Sequence, residues 1–296
     1  MPDSAAATVS RLSEPEWRPR ASAHEARVDA WVGPHLERRR HGIAHPVEDF
    51  LFTYYSYRPA ALRRWHPGLG MELTGDVGEF EGRRGYDVSG GTARVDPVVV
   101  AQRRDPITWI RDLLEATASR PPMLGCFGLH EWAMVYRQSP DDVRHAAYPL
   151  RLGSAGTDEV VETHRIACTH FDAFRFFTDP ARSLNVLQPT RESQHRLDQP
   201  GCLHATMDLY KWAYKLAPLT SSELVADCFA LARDVRQVDM RAAPYDLSDL
   251  GVQPIRIETA EGKQQYVAHQ RDFAARSAVL RDRLLDVCDA ALRSAD

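Results

Sequence analysis

The sequence predicts a mainly α fold, a single globular helical domain with minor β elements. Apolar residues recur near a 3.6-residue period in several segments, and no regular alternation of strand and helix appears. A hydrophobic content of 44% over 296 residues is ample for a packed core.

In chain order, residues 1–22 combine Ala, Ser, Pro and Arg with little apolar periodicity and read as a flexible tail, leaving 23–296 as the domain. An amphipathic helix is expected from His24 to Leu36, closed by the basic, glycine-ended 37–42. Pro46, Glu48 and Asp49 have the character of a first helical turn, with the helix continuing to Pro59. From Gly68 to Pro97 the chain is glycine-rich and without period, so loops and a hairpin near Thr92–Val95 are expected. Asp105-Pro106 opens a helix through Ser119, and a short one follows over 128–137. Asp158 to Cys168 alternates like an extended segment that enters a helix at His170.

Residues 203–216 suit a helix. Thr220-Ser-Ser-Glu223 then matches a capping box, ahead of Leu224, Cys228, Leu231 and Val235 on one helical stripe. A short strand and a turn at Glu261-Gly262 lead into a last helix, Lys263 to Ala295.

Composition excludes some functions. A net charge of -4 and a pI near 6.3 provide no global basic field, which weighs against strong nonspecific nucleic-acid binding while allowing a local patch. No run of apolar residues is long enough to span a membrane and no secretion signal opens the chain, so a cytoplasmic protein is expected. Five widely spaced cysteines without a C-x-x-C pair point to reduced thiols. The basic residues are almost all arginine: Lys211, Lys215 and Lys263 are the only lysines, and Asn185 is the only asparagine. In so skewed a composition, the rare residue types that persist are candidates for specific roles.

Two of those lysines fall in His204–Leu216, where helical spacing places His204, Asp208, Lys211 and Lys215 on one stripe beside Leu203, Met207, Tyr210 and Tyr214. The stripe reads either as a solvated polar face or as a site in which lysine binds a phosphate or acts as an amine nucleophile. Further imidazole–carboxylate groups occur at His45 with Glu48 and Asp49, at His130-Glu131, and at Glu162, His164, His170 and Asp172. Such pairs suit general acid/base work, and the same residue types ligate iron, manganese or zinc. Tyr54, Tyr55, Trp132 and Tyr210 are candidates to stack a flat ring, with Arg137 and Lys215 as candidate phosphate contacts.

The segments "HPVEDFLFTYYSYRPAALRRWHPG", "GCFGLHEWAMVYR", "ETHRIACTHFDAFRFFTDPARSLN", "QPGCLHATMDLYKWAYKL" and "YDLSDLGVQPIRIET" resemble a bacterial family of about 300 residues commonly labelled 3-methyladenine DNA glycosylase, over nearly all of His24 to Leu292. The resemblance implies hydrolysis of the N-glycosidic bond of an alkylated purine in damaged DNA or a nucleoside-like molecule, without a cofactor. The base would enter an aromatic pocket while a carboxylate orients water. For that chemistry Asp208 is the first candidate and Glu131 the second, with His204 and Lys211 beside them. Two other classes stay open. One is a helical metalloenzyme, of the non-haem iron oxygenase kind or with another divalent metal, drawing ligands from His45, Glu48, His130, Glu131, His164, His170 and His204. The other is a noncatalytic protein that binds a nucleotide or another planar ligand.

Overall fold

A computed structural model describes residues 9–139 and 147–294. Helix dominates, with one small sheet, as the sequence predicts. The helices are α1 (Glu14–Arg40), α2 (Phe50–Tyr54), α3 (Pro59–Arg63), α4 (Pro97–Gln102), α5 (Arg104–Ala118), α6 (Leu129–Ala133), α7 (Gly153–Thr163), α8 (Phe171–Phe174), α9 (Asp179–Arg182), α10 (Gln194–Leu197), α11 (Leu203–Leu216), α12 (Ser222–Ala242) and α13 (Ala260–Ser294). The strands are β1 (Ser10–Leu12), β2 (Met71–Thr74), β3 (Tyr86–Ser89) and β4 (Thr92–Val95). Two compact units result: Met1–Leu114 with Tyr210–Ala230 and Leu280–Asp296, and Glu115–Leu209 with Leu231–Val279. Among the described residues no helix is long and apolar enough to cross a membrane.

The first unit holds the sheet, in the order β1-β2-β4-β3. The expected hairpin is β3–β4, paired from Tyr86↔Val95 to Ser89↔Thr92. Gly90 and Gly91 turn it with φ of 56° and 75°, which residues bearing a Cβ adopt only with strain. On the sheet pack Trp17, Trp65 and Phe80, the two indoles stacked at 6.1 Å and Trp17 donating through Nε1 to the Thr74 carbonyl at 3.1 Å.

Order therefore begins before residue 23. Within the segment expected as a tail, Ser10 pairs with Met71 and α1 starts at Glu14, while residues 1–8 lie outside the described part. The signals are a capping box, with the Ser13 N–H donating to Glu16 Oε2 at 2.7 Å, and Pro15 in the first turn; a wholly buried Trp17 then anchors the helix. The expected end near 37–42 agrees, since α1 stops at Arg40.

Other boundaries also shift. Only Phe50–Tyr54 of the 46–59 segment is helical before α3 begins at Pro59. Residues 153–163 are helical where an extended segment was expected, because Thr157, Val160 and Val161 share one buried face at helical spacing. The α12 cap sits one residue later than Thr220: Ser221 Oγ accepts from the Leu224 N–H at 3.3 Å, and Glu223 accepts from Trp65 Nε1 instead. In α13 the expected turn at Glu261-Gly262 is the first helical turn, capped by Thr259 Oγ1 accepting from the Gly262 N–H. Residue 262 has no room for a side chain, as a Cβ there would lie 1.9 Å from the Arg256 carbonyl oxygen.

His66, in the first unit, makes stability depend on pH. Burial, helped by His24 and two arginines, pushes its pKa down from 6.5 to about 3. The unfolded chain then binds this proton more readily, so the native state keeps its full advantage above pH 6.5 and loses it progressively down to about pH 3. The span corresponds to at most about 5 kcal/mol. Urea midpoints measured across that range should fall less steeply in His66→Leu than in the parent chain; identical slopes would remove His66 as the cause.

Candidate metal centre

The second unit gathers an unusual number of buried polar side chains. His130 and Glu131 come from α6, His204 and Asp208 from α11, Arg236 and Asp239 from α12, and His170 from the residue that precedes α8. One ligand atom from each of His130, His204 and Asp239 lies within 4.8 Å of the others, and all three residues are buried.

Each position has a local cause. Phe127 and Gly128 take φ of 48° and 74°, a left-handed pair that turns the chain abruptly into α6. Gly128 has little alternative, since a Cβ there would press on Ala242 at 3.2 Å and Tyr266 at 3.4 Å. A bulky residue such as Phe127 at positive φ stores about 1–3 kcal/mol and is commonest beside functional groups. On α11, His204 and Asp208 lie one turn apart on a face that is buried there. Asp239 falls four residues after Val235 and so continues the apolar stripe of α12.

Hydrogen bonds link the group into a network. His130 Nε2 lies 2.9 Å from Asp239 Oδ1, while Arg236 Nη1 donates to Asp239 Oδ2 at 2.9 Å and to Glu131 Oε1 at 3.0 Å. On the opposite edge of the His130 ring, Nδ1 is 3.7 Å from Cys126 Sγ. His170 Nε2 reaches Asp208 Oδ2 at 3.2 Å, and the His204 ring sits edge-on to His130 at 4.4 Å and stacked on His170 at 5.5 Å.

The three central groups have different charge preferences. Burial opposes charge on His130, but the Asp239 carboxylate and then the Cys126 thiol lift its pKa well above the ordinary value. Burial likewise opposes charge on Asp239, and His130, His204 and Arg236 together hold it below the usual carboxylate range. For His204, burial and the neighbouring His130 act in the same direction and push its pKa well down. The His204 imidazole is thus neutral at pH 7, the form whose nitrogen lone pair binds a metal. Among the described residues it makes no hydrogen bond.

His170 is held by a residue whose role composition alone did not reveal. Asn185, the only asparagine, accepts from the Cys168 N–H at 2.8 Å and donates to the Cys168 and Leu187 carbonyls at 3.0 and 2.6 Å. The side-chain amide replaces a strand partner and fixes the backbone that carries His170.

Of the residues singled out from sequence, Asp208, Glu131, His204, His130 and His170 come together in this unit. Both candidate water-activating carboxylates are engaged, Asp208 with His170 and Glu131 with Arg236. Lys211 and Lys215 lie in the first unit with their Nζ atoms 4.4 and 5.6 Å from the Trp212 ring centroid. The stripe is therefore not solvated throughout, because His204 and Asp208 are buried while Lys215 is exposed.

The candidate stacking residues are packed. Tyr55 and Tyr210 meet edge-on at 5.4 Å, Tyr54 lies edge-on to Tyr55 at 4.9 Å, and Trp132 is wholly buried with Nε1 donating to the Ala242 carbonyl at 2.8 Å. Arg137 is exposed and pairs with Glu162 at 2.8 Å. His45 and Glu48 belong to the first unit, where His45 Nδ1 accepts from the Val47 and Glu48 N–H groups; His164 Nδ1 donates to the Val160 carbonyl. Asp239 and Arg236, which complete the centre, were absent from the sequence candidates.

A small pocket in the same unit adjoins His130 and His204 and is lined by three of the five cysteines, Cys126, Cys168 and Cys202. No family model, curated protein or solved structure matches the chain.

Proposed function

We propose that the protein is a metal-dependent enzyme in which His130, His204 and Asp239 hold one divalent cation. The observation that carries this reading is the convergence of two imidazoles and a carboxylate, from three separate helices, to within 4.8 Å in a buried site. Two nitrogens and one oxygen leave coordination positions for water or substrate, an arrangement common to hydrolytic zinc and oxygen-activating iron sites. The surrounding groups suit the role: Cys126 stands at the other nitrogen of His130 and Arg236 at the other oxygen of Asp239, so each fixes a ligand's orientation. His170 with Asp208 supplies an adjoining acid/base pair.

The resemblance to the family labelled 3-methyladenine DNA glycosylase supports a hydrolytic use of this centre, with an alkylated purine N-glycoside as substrate and activated water as the attacking group. A second reading rests on the order Cys126 Sγ, His130 Nδ1, His130 Nε2, Asp239 Oδ1, the sequence of contacts found in nucleophilic thiols that use an imidazole base and a carboxylate orienter.

One assay addresses both. The purified chain, as isolated, is incubated with DNA containing alkylated adenine and free base is measured. Release that chelation abolishes supports the metal-dependent reading, and release that survives chelation but is lost in Cys126→Ser supports the thiol. Absence of release by metal-replete protein removes the glycosidic substrate.

A further inference from the structure

The pocket beside His130 and His204 encloses about 300 Å³ together with its mouth. Its wall is polar yet almost without charge. No lysine, arginine, aspartate or glutamate lines it among the described residues, and burial keeps the Cys168 and Cys202 thiols protonated. The one wall group that favours a charge, His130, faces the Asp239 carboxylate.

Two wall atoms are buried and lack a hydrogen-bond partner: Thr169 Oγ1 and Gln270 Oε1, on residues 4% and 1% exposed. Such groups are costly to leave unmet, at about 1–3 kcal/mol each. The orientation of Gln270 is defined, because its Nε2 donates to the Gly201 carbonyl at 2.8 Å, which leaves Oε1 as an acceptor. The neighbouring Gln199 is already committed, its Oε1 accepting from the Met123 and Gly201 N–H groups. The pocket thus presents one acceptor at Gln270 and one hydroxyl at Thr169, which can donate.

We propose that this pocket binds a small uncharged molecule through an amide edge, its N–H donating to Gln270 Oε1 and its carbonyl accepting from the Thr169 hydroxyl. Simple carboxamides, lactams and the amide edge of a nucleobase share this chemistry. A carboxylate lacks the donor and brings a charge that no wall residue matches, and an ammonium ion lacks the carbonyl. Assignment of the molecule as a substrate rests on the preceding reading of the centre; the binding itself does not.

The test is calorimetric titration of the full chain, as purified, with acetamide and uracil, against acetate and methylammonium. Metal content is measured on the same samples. At least one amide should bind more than tenfold tighter than acetate, and Gln270→Leu should weaken it at least tenfold with metal content unchanged. If Gln270→Leu does not fold, Thr169→Val provides the same comparison. Equal binding of acetamide, uracil and acetate, no binding of either amide, or variants that bind like the parent would each overturn the proposal. Amide binding in a chain that carries no metal would instead leave the pocket assignment standing and remove the substrate role.

Discussion

His204→Phe is expected to leave the chain folded and to remove its metal. Phenylalanine keeps a ring against His130 and His170 but has no ligand atom. Because His204 makes no hydrogen bond among the described residues, its loss orphans no partner and the change in stability should stay below about 1.5 kcal/mol. Loss of one of three ligands, by contrast, should lower affinity more than about 100-fold, which elemental analysis would read as a fall from about one ion per chain to below about 0.1. Zinc or iron in the parent would separate the hydrolytic from the oxygen-activating form of the proposal. Metal uptake must also displace the proton that Asp239 helps His130 to retain, so affinity should rise with pH. A parent chain without metal, or a variant that retains it, would refute the assignment of His204.

Arg236→Met should be among the most destabilising single changes in the second unit. The guanidinium, 2% exposed, bonds both Glu131 and Asp239, and methionine fills much of its volume without its charge. Asp239 still faces His130, whereas Glu131 is left buried beside a neutral side chain. Breaking such a network costs about 3–5 kcal/mol, chiefly through the stranded charge. Adding Glu131→Gln to Arg236→Met should recover a large part of that loss, a coupling visible in denaturant midpoints. If the single variant were as stable as the parent, or the double variant less stable than the single, the buried charges would not be mutually dependent as the distances indicate.

The part of the fold that local periodicity encodes was legible. The 203–216 helix and the stripe Leu224, Cys228, Leu231, Val235 announce themselves because their apolar spacing is continuous. The beginning of α1 was not, since Trp17 and the Ser13–Glu16 cap are embedded in a composition that reads as disorder. At the centre, His130, His204 and His170 stood out by residue type. Asp239 and Arg236 look like ordinary charges of a helix in a protein rich in them, and only Asp239's place on the extended apolar stripe marks it as buried. Cys126, Cys168 and Cys202 have no motif spacing because they meet through tertiary structure. Rarity was informative for the wrong residue type: attention went to the lysines, of which Lys215 is exposed, while the single asparagine holds the backbone of the centre.

That asparagine also bears on how the protein ages. Spontaneous deamidation of asparagine converts a neutral amide to a carboxylate, and this chain offers one place for it. At Asn185 the nitrogen that would be lost is donated to two carbonyls, those of Cys168 and Leu187, and the residue is 3% exposed. Conversion would set a carboxylate oxygen against both carbonyls in a buried site. The folded state thereby shields its only asparagine, and an acidic charge variant arising at this position would mark molecules that had opened locally around Cys168.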